Sequence, residues 1–518
     1  MQSKSEINQI IGQSSGFFKR AYNLGPWLFI AAGIIYVVFH LLTLKISPIP
    51  WFDETFFASL TSSYTSVGEF NLDIAPYEHN DELLLYGPIY FWITSWVTRI
   101  IGFGIFSFRL TGLIASFCCI FIFYKILSLY LTKRNLVYLI TAAFALDSLF
   151  NSNMHTGRMD SLALFFALSS IYIYLKTIQQ NNYKNKVKLI AFSFSGLLFS
   201  LALLTTPRIG ILLLALAIMQ FIQLIKVFSI KNVTRLLVFW STILITYIIW
   251  IFYAFGSIEG LLSYYSEFTE YVSSGLFFPK QQIPLVIITF LAFIAGAVVN
   301  YNKYLSKPVV LSTLSVLCFY FLVSDRGQYS VIIAPFQYLL IGMTVVLLLS
   351  YLRRESSAFK KLLYYSPLAL ILIYNLAFFS LKGLTLYIAH ETRNPEYVTS
   401  FMKSQLTPDS KVVGDEAYYY AVKHAGGDFQ YISIFKNVTE REHYQRMVYD
   451  YDYIAWSDKL QREHPYILDT YRKNSKLIEI ARFNHYQNKD MPLVTLFLTS
   501  LNVPVKRSYS GTLYKRIK

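Results

Sequence analysis

Long apolar runs separated by short polar connections fill the first 383 residues. Runs of about 17 to 25 apolar residues are long enough to cross a bilayer as helices. They fall at 27–47, 108–131, 136–154, 160–176, 188–204, 209–227, 235–255, 284–301, 308–324, 329–350 and 363–383. The pattern predicts a mainly α, polytopic membrane protein with about eleven transmembrane helices. One further apolar stretch, Tyr86 to Phe106 (YGPIYFWITSWVTRIIGFGIF), reads as an interfacial helix. Pro88 suits a first helical turn, and Trp92 and Trp96 recur four apart with Arg99 behind them. DETFFASLTSSYTS is predicted as a second interfacial helix, with Phe56, Phe57 and Leu60 on one side and Asp53 and Glu54 at its start. Carboxylates suit the helix dipole there. After Lys382 the spans stop. Residues 384–518 alternate short β-like runs (KVVGD, YISIF, YDYIAWS) with helical ones, which predicts a small α/β domain with a mainly parallel sheet. The domain reading is therefore a transmembrane unit over 1–383, with an outer loop at 48–107, followed by a soluble unit over 384–518.

Composition agrees with a membrane class. The chain is 55% hydrophobic, 18% aromatic and 15% charged, with a mean hydropathy of +0.43. Soluble domains carry about a quarter charged residues. The net charge of +16 sits mostly in short loops between apolar spans, which argues membrane orientation and against nucleic acid. Lys19 and Arg20, Lys133 and Arg134, Lys184 to Lys188, Lys303 and Lys307, and Arg353 to Lys361 alternate along the chain with acidic connections. By the positive-inside rule the N-terminus is cytoplasmic and the C-terminal unit extracytoplasmic, in an inner (plasma) membrane. Counting 86–106 as a span would invert every later loop. Cys118, Cys119 and Cys318 lie in apolar spans without metal spacing and read as small core residues.

The candidate chemistry collects in the first outer loop, which carries Asp53, Glu54, Glu69, Asp73, Glu78, Asp81 and Glu82. Charges at a membrane edge are costly and default to a functional reading. Single arginines at outer helix ends, Arg109, Arg158, Arg208 and Arg326, break the positive-inside trend and each asks for an anion. Guanidinium forks pair with carboxylates or phosphates, so the loop's own acids compete with a phosphate-bearing substrate for them. His79 and His155 lie in outer loops near carboxylates, but spacing gives a divalent metal no support and it stays an open possibility. No cofactor is otherwise indicated.

A DE pair just after the first span, the YGPIYFW segment, a membrane-edge FRL, and GRMDSLALFFALSSIYIYL opening the fourth span occur in that order. This order resembles the GT-C glycosyltransferases of the RgtA/B/C/D-like branch, related to protein O-mannosyltransferases and the lipid A aminoarabinose transferase. The resemblance implies transfer of a sugar, hexosyl or pentosyl, from a polyprenyl-phosphate donor to a hydroxyl on a lipid, glycan or protein acceptor at the outer face of the membrane. It places the essential first-loop aspartate on Asp53, with Glu54 beside it, and a second acidic position on Asp160. The aminoarabinose transferase has a Glu-Lys-Pro-Pro segment whose lysine contacts the donor phosphate. Here the aligned residues are Leu85, Tyr86, Gly87 and Pro88, so that cation is missing.

The chemistry needs one carboxylate to take the acceptor proton and cations for the leaving phosphate. Asp53 is the expected base, with inversion at the anomeric carbon. Arg158, Arg208 or Arg326 is expected to hold the phosphate, Asp160 to orient Arg158 or the acceptor, and Tyr86, His155 and Arg109 to line the substrate site. A polytopic transporter or a non-catalytic envelope scaffold is the alternative. A transporter is expected to show repeats and midplane charge, and neither is evident here.

Overall fold

The computed structural model describes residues 27, 29–72, 74, 86–180, 182–269, 282–304, 306–323, 328–350, 358–432, 451–483 and 508–517. The chain divides into two compact units, Met1–Lys45 and Ile46–Lys518. Among the described residues the first contributes one apolar helix, α1 (Phe29–Thr43).

The second unit opens with α2 (Phe52–Val67) and α3 (Ile89–Ile101). At 13 residues α3 is about 20 Å long, well short of the roughly 30 Å hydrocarbon core. Tyr90, Phe91, Thr94, Ser95 and Thr98 form its buried face, while Trp96 and Ile100 are exposed and Arg99 lies 5.6 Å over the Trp96 ring. This two-faced helix is too short to span, as the sequence implied. Gly87 sets its entry: φ is +74°, and a Cβ there would stand 2.2 Å from the Leu204 carbonyl oxygen, so only glycine lets the chain approach.

There follow α4 (Ile105–Tyr130), α5 (Arg134–Ala145), α6 (Ser148–Asn153), α7 (Asp160–Gln179), α8 (Asn185–Leu203), α9 (Gly210–Lys226) and α10 (Ile230–Phe255). Then come α11 (Ile258–Thr269), α12 (Ile283–Tyr304), α13 (Lys307–Leu322), α14 (Ala334–Ser350) and α15 (Ala358–Ile388). Among the described residues, six helices are long and apolar enough to cross a membrane and five more are apolar but shorter, against the eleven spans expected. One span needs correction. Residues 136–154 are two helices, because Asp147 accepts hydrogen bonds from Leu149 N (3.1 Å) and Phe150 N (2.9 Å) and starts a new helix after a break. The contact of α7 with α4 uses Ser116 and Ser161 hydroxyls 2.9 Å apart, and its contact with α8 uses Ser170 and Ser195. Small polar residues of this kind let membrane helices approach closely.

α15 runs unbroken through residue 383 to Ile388. Beyond it, among the described residues, lie five strands: β1 (Lys411–Gly414), β2 (Asp428–Tyr431), β3 (Tyr453–Ser457), β4 (Lys476–Phe483) and β5 (Gly511–Ile517), in the order β2-β1-β3-β5-β4. The sheet is mixed and not mainly parallel: β1 pairs in parallel with β2 and β3, but β5 runs antiparallel to both β3 and β4. The sheet and its helices bury an apolar cluster that includes Ala58 of α2 and Ile105 and Phe108 of α4, packed with Met402, Tyr419, Tyr420 and Phe429. A fully buried aromatic contributes roughly 1.5–3 kcal/mol, so Phe108 and Tyr420 fix the sheet on these helix ends.

Candidate active site

The first turn of α2 sends two neighbouring carboxylates in different directions, since successive helical residues are about 100° apart. Glu54 points inward. Its two oxygens accept from Arg109 Nε at 2.7 Å and Nη2 at 2.8 Å, and neither side chain is exposed. Burial lifts the Glu54 carboxyl above its ordinary range, and the Arg109 guanidinium opposes that rise. The pair sits against Gly157, whose φ is +58° and where a Cβ would lie 3.1 Å from Glu54 Cγ. Tyr90 closes the arrangement by donating to the Gly157 carbonyl at 2.5 Å.

Asp53 points outward and keeps 30% of its side chain exposed. Its Oδ2 accepts from Arg158 Nη1, and its Oδ1 has no hydrogen-bond partner among the described residues. Arg158 lies in the connection from α6 to α7 and also donates through Nε to Asp160 Oδ2 at 2.6 Å. Burial acts to lower the Arg158 pKa, but the joint field of Asp160 and Asp53 outweighs it and holds the guanidinium charged. Asp160 is fully buried, and its Oδ1 has no partner among the described residues.

The same guanidinium stands 5.4 Å over the Trp51 ring and 5.1 Å over Tyr329. On Tyr329 it meets a second cation: Arg208 lies 3.9 Å over that ring and 5.3 Å over Tyr86. Arg208 also reaches the Tyr86 hydroxyl at 3.5 Å, and no carboxylate pairs with it among the described residues. Burial raises the Tyr329 pKa, the two guanidiniums offsetting part of the rise, so its hydroxyl is a protonated donor at neutral pH. The result is a row Trp51–Arg158–Tyr329–Arg208–Tyr86 beside an accessible carboxylate oxygen. Stacking of this sort adds about 0.5–2 kcal/mol per pair and fixes the forks in place.

Asp53, Arg158, Asp160, Arg208 and Tyr86 thus converge, as expected. Glu54 and Arg109 form a separate sealed pair and cannot reach a substrate. His155 is fully buried, and its Nδ1–H donates to the Ser47 carbonyl at 2.8 Å, tying the start of the outer loop to the α6–α7 connection. Glu69 is exposed near Asn71. Arg326, His79, Asp73, Glu78, Asp81 and Glu82 lie outside the described residues. Trp51 and Tyr329 join the site without being sequence candidates; each stands close in sequence to a charged candidate, in PIPWFDE and SDRGQY, but an aromatic in a membrane protein carries no signal of its own. Among the described residues no three His, Cys, Asp or Glu side chains could hold a metal ion. Asp53 and Asp160 share Arg158, and a cation placed between them would have to displace that guanidinium.

A family model described as dolichyl-phosphate-mannose-protein mannosyltransferase matches residues 86–253, the part that holds Arg158, Asp160 and Arg208. No curated protein matches the sequence. The crystal structure of ArnT from Cupriavidus metallidurans in the apo state superposes with a TM-score of 0.61 at 12% identity, covering 95% of this chain and 98% of that one. The same protein bound to undecaprenyl phosphate gives a TM-score of 0.60 at 12% identity, covering 94% and 97%. The Archaeoglobus fulgidus oligosaccharyltransferase tethered with an acceptor peptide gives 0.52 at 11% identity, covering 85% and 70%. The chain has the GT-C membrane fold.

Proposed function

We propose that the protein transfers a sugar from a polyprenyl-phosphate-linked donor to a hydroxyl acceptor, with inversion at the anomeric carbon. One observation carries this reading. Asp53 offers an open carboxylate oxygen beside two guanidiniums that share the Tyr329 ring, one of which, Arg208, has no carboxylate partner among the described residues. A half-buried cation without a paired carboxylate is costly, and a substrate phosphate supplies that pairing.

In the proposed reaction the acceptor hydroxyl gives its proton to Asp53 Oδ1 as its oxygen bonds to the anomeric carbon. The bond from that carbon to the phosphate oxygen breaks, and the electron pair leaves with the phosphate. Arg208 and the Tyr329 hydroxyl stabilise the charge that develops there. Arg158, held by Asp160, fixes Asp53 and screens its charge from the departing phosphate. Tyr86 holds Arg208 flat, so Arg208 does the work of the lysine that this chain lacks at that position. Glu54 is sealed against Arg109 and takes no part in the step. Asp53 stands at the start of α2, and the acidic loop and sheet domain belong on the outer face of the membrane, in line with the charge of the connections. The described donor set does not make a metal site, and no step uses one.

The test is whether purified protein in lipid consumes a polyprenyl-phosphate sugar and releases polyprenyl phosphate in the presence of an envelope extract. Consumption with a glycosylated product is expected. No consumption with any polyprenyl-phosphate hexose or pentose overturns the reading.

A further inference from the structure

Two cavities meet at Ser508 and Ser510. Trp51, Asp415, Glu416, Lys459 and Arg462 line the first. The second, of about 200 Å³, is lined by Glu391, Asn394, Tyr397, Phe401 and Arg482. Trp51 is the wall between this groove and the proposed catalytic cleft: Arg158, which holds Asp53, lies over the same indole ring that lines the first cavity. The Trp51 Nε1–H is buried and has no hydrogen-bond partner among the described residues.

The lining selects a chemistry. Glu391, Asp415, Glu416 and Asp458 stand against Lys459, Arg462 and Arg482, so the groove has no surplus of cations for a phosphorylated or carboxylated ligand. Glu416 already takes Lys459 at 2.8 Å, and Arg482 lies 3.8 Å from Asp458. What remains for a ligand is a set of hydroxyl, amide and carboxylate groups beside flat aromatic faces, with Tyr397 47% exposed. Carboxylates accept from hydroxyls, and an aromatic face covers the C–H side of a sugar ring.

We propose that this groove binds a neutral oligosaccharide acceptor and directs its hydroxyl past Trp51 to Asp53. The proposal rests on the glycosyl-transfer reading and adds the acceptor's class to it. Binding is tested by saturation-transfer NMR on the detergent-solubilised full chain, using neutral hexose and N-acetylhexosamine tetrasaccharides and a phosphorylated counterpart. The wild type is expected to bind a neutral member in preference to the phosphorylated one. Tyr397→Ala and Glu391→Gln are each expected to weaken that binding about tenfold, the effect of losing one good contact. Both should bind polyprenyl phosphate as the wild type does, which shows that they are folded. No neutral saccharide bound by the wild type, preference for the phosphorylated one, or undiminished binding in both variants overturns the proposal. Saccharide binding without any polyprenyl-phosphate binding in the wild type upholds the groove and counts against the transfer reading.

Discussion

Arg208 stands 3.9 Å over the face of Tyr329, with no carboxylate partner among the described residues, while Arg158 approaches the same ring at 5.1 Å and is neutralised by Asp53 and Asp160. Two like charges on one ring differ in one respect: only one of them is open to an incoming anion. Arg208→Ala is therefore expected to weaken polyprenyl-phosphate binding by about ten- to a hundredfold, the scale of one or two charge-assisted hydrogen bonds. Arg208→Lys should recover part of this, since it restores charge without the stacked fork. Equilibrium binding of polyprenyl phosphate to the purified variants measures both.

Tyr329 separates binding from chemistry. Its ring orders the guanidiniums, whereas its hydroxyl is assigned to the departing phosphate. Tyr329→Phe should leave donor binding close to that of the wild type and lower turnover by about tenfold or more, as for loss of one donor to a developing oxyanion. Separate measurement of KM and kcat for the donor checks the split. Equal turnover in the phenylalanine variant removes the hydroxyl from the mechanism.

Glu54 and Arg109 predict a stability effect in place of a catalytic one. Removing one partner of a sealed ion pair leaves the other charge buried and costs about 3–5 kcal/mol. Glu54→Gln should lower the thermal unfolding midpoint of the full chain, and Arg109→Met should do the same. Paired replacement by Glu54→Leu and Arg109→Met should be milder than either single change, because no charge is stranded. Scanning fluorimetry in detergent reads the order of the three.

A pH effect is expected in the sheet domain. Burial, followed by the field of Asp415, lifts the Glu416 carboxyl from an ordinary 4.5 to about 7, with Lys459 opposing the rise. Between those pH values the folded chain holds a proton that the unfolded chain has released. Stability from this group is therefore greatest below pH 4.5 and falls as pH rises towards 7. Glu416→Gln should flatten that slope. Amide exchange in β1 and β3 followed from pH 5 to pH 8 measures it, and an identical slope in the glutamine variant contradicts the assignment.

Much of the fold was legible because membrane helices announce themselves by length and apolarity, and because the charge of the connections argued against counting 86–106 as a span. The break at Asp147 was not legible from hydropathy, since a capping aspartate in an apolar run reads as one tolerated charge. The alternation of short strands and helices reads as a mainly parallel sheet because the antiparallel β5 joins from the end of the chain, across a long intervening segment. At the site, Asp53, Asp160, Arg158 and Arg208 stood out as charges where charge is costly. What spacing could not separate was Asp53 from Glu54: neighbours in sequence, they part by a helical rotation that buries one and opens the other. Trp51 and Tyr329 were hidden among the chain's many aromatics, because their role depends on two cations brought from separate connections.

Replacement of Asp53 by Asn tests the central claim most directly. It removes the basic oxygen while keeping size and hydrogen bonding to Arg158. Transfer from a polyprenyl-phosphate sugar, measured as release of polyprenyl phosphate by folded protein in lipid, is predicted to fall by a factor on the order of 10²–10⁴, with donor binding preserved. Turnover within about twofold of the wild type would contradict Asp53 as the base and the mechanism built on it.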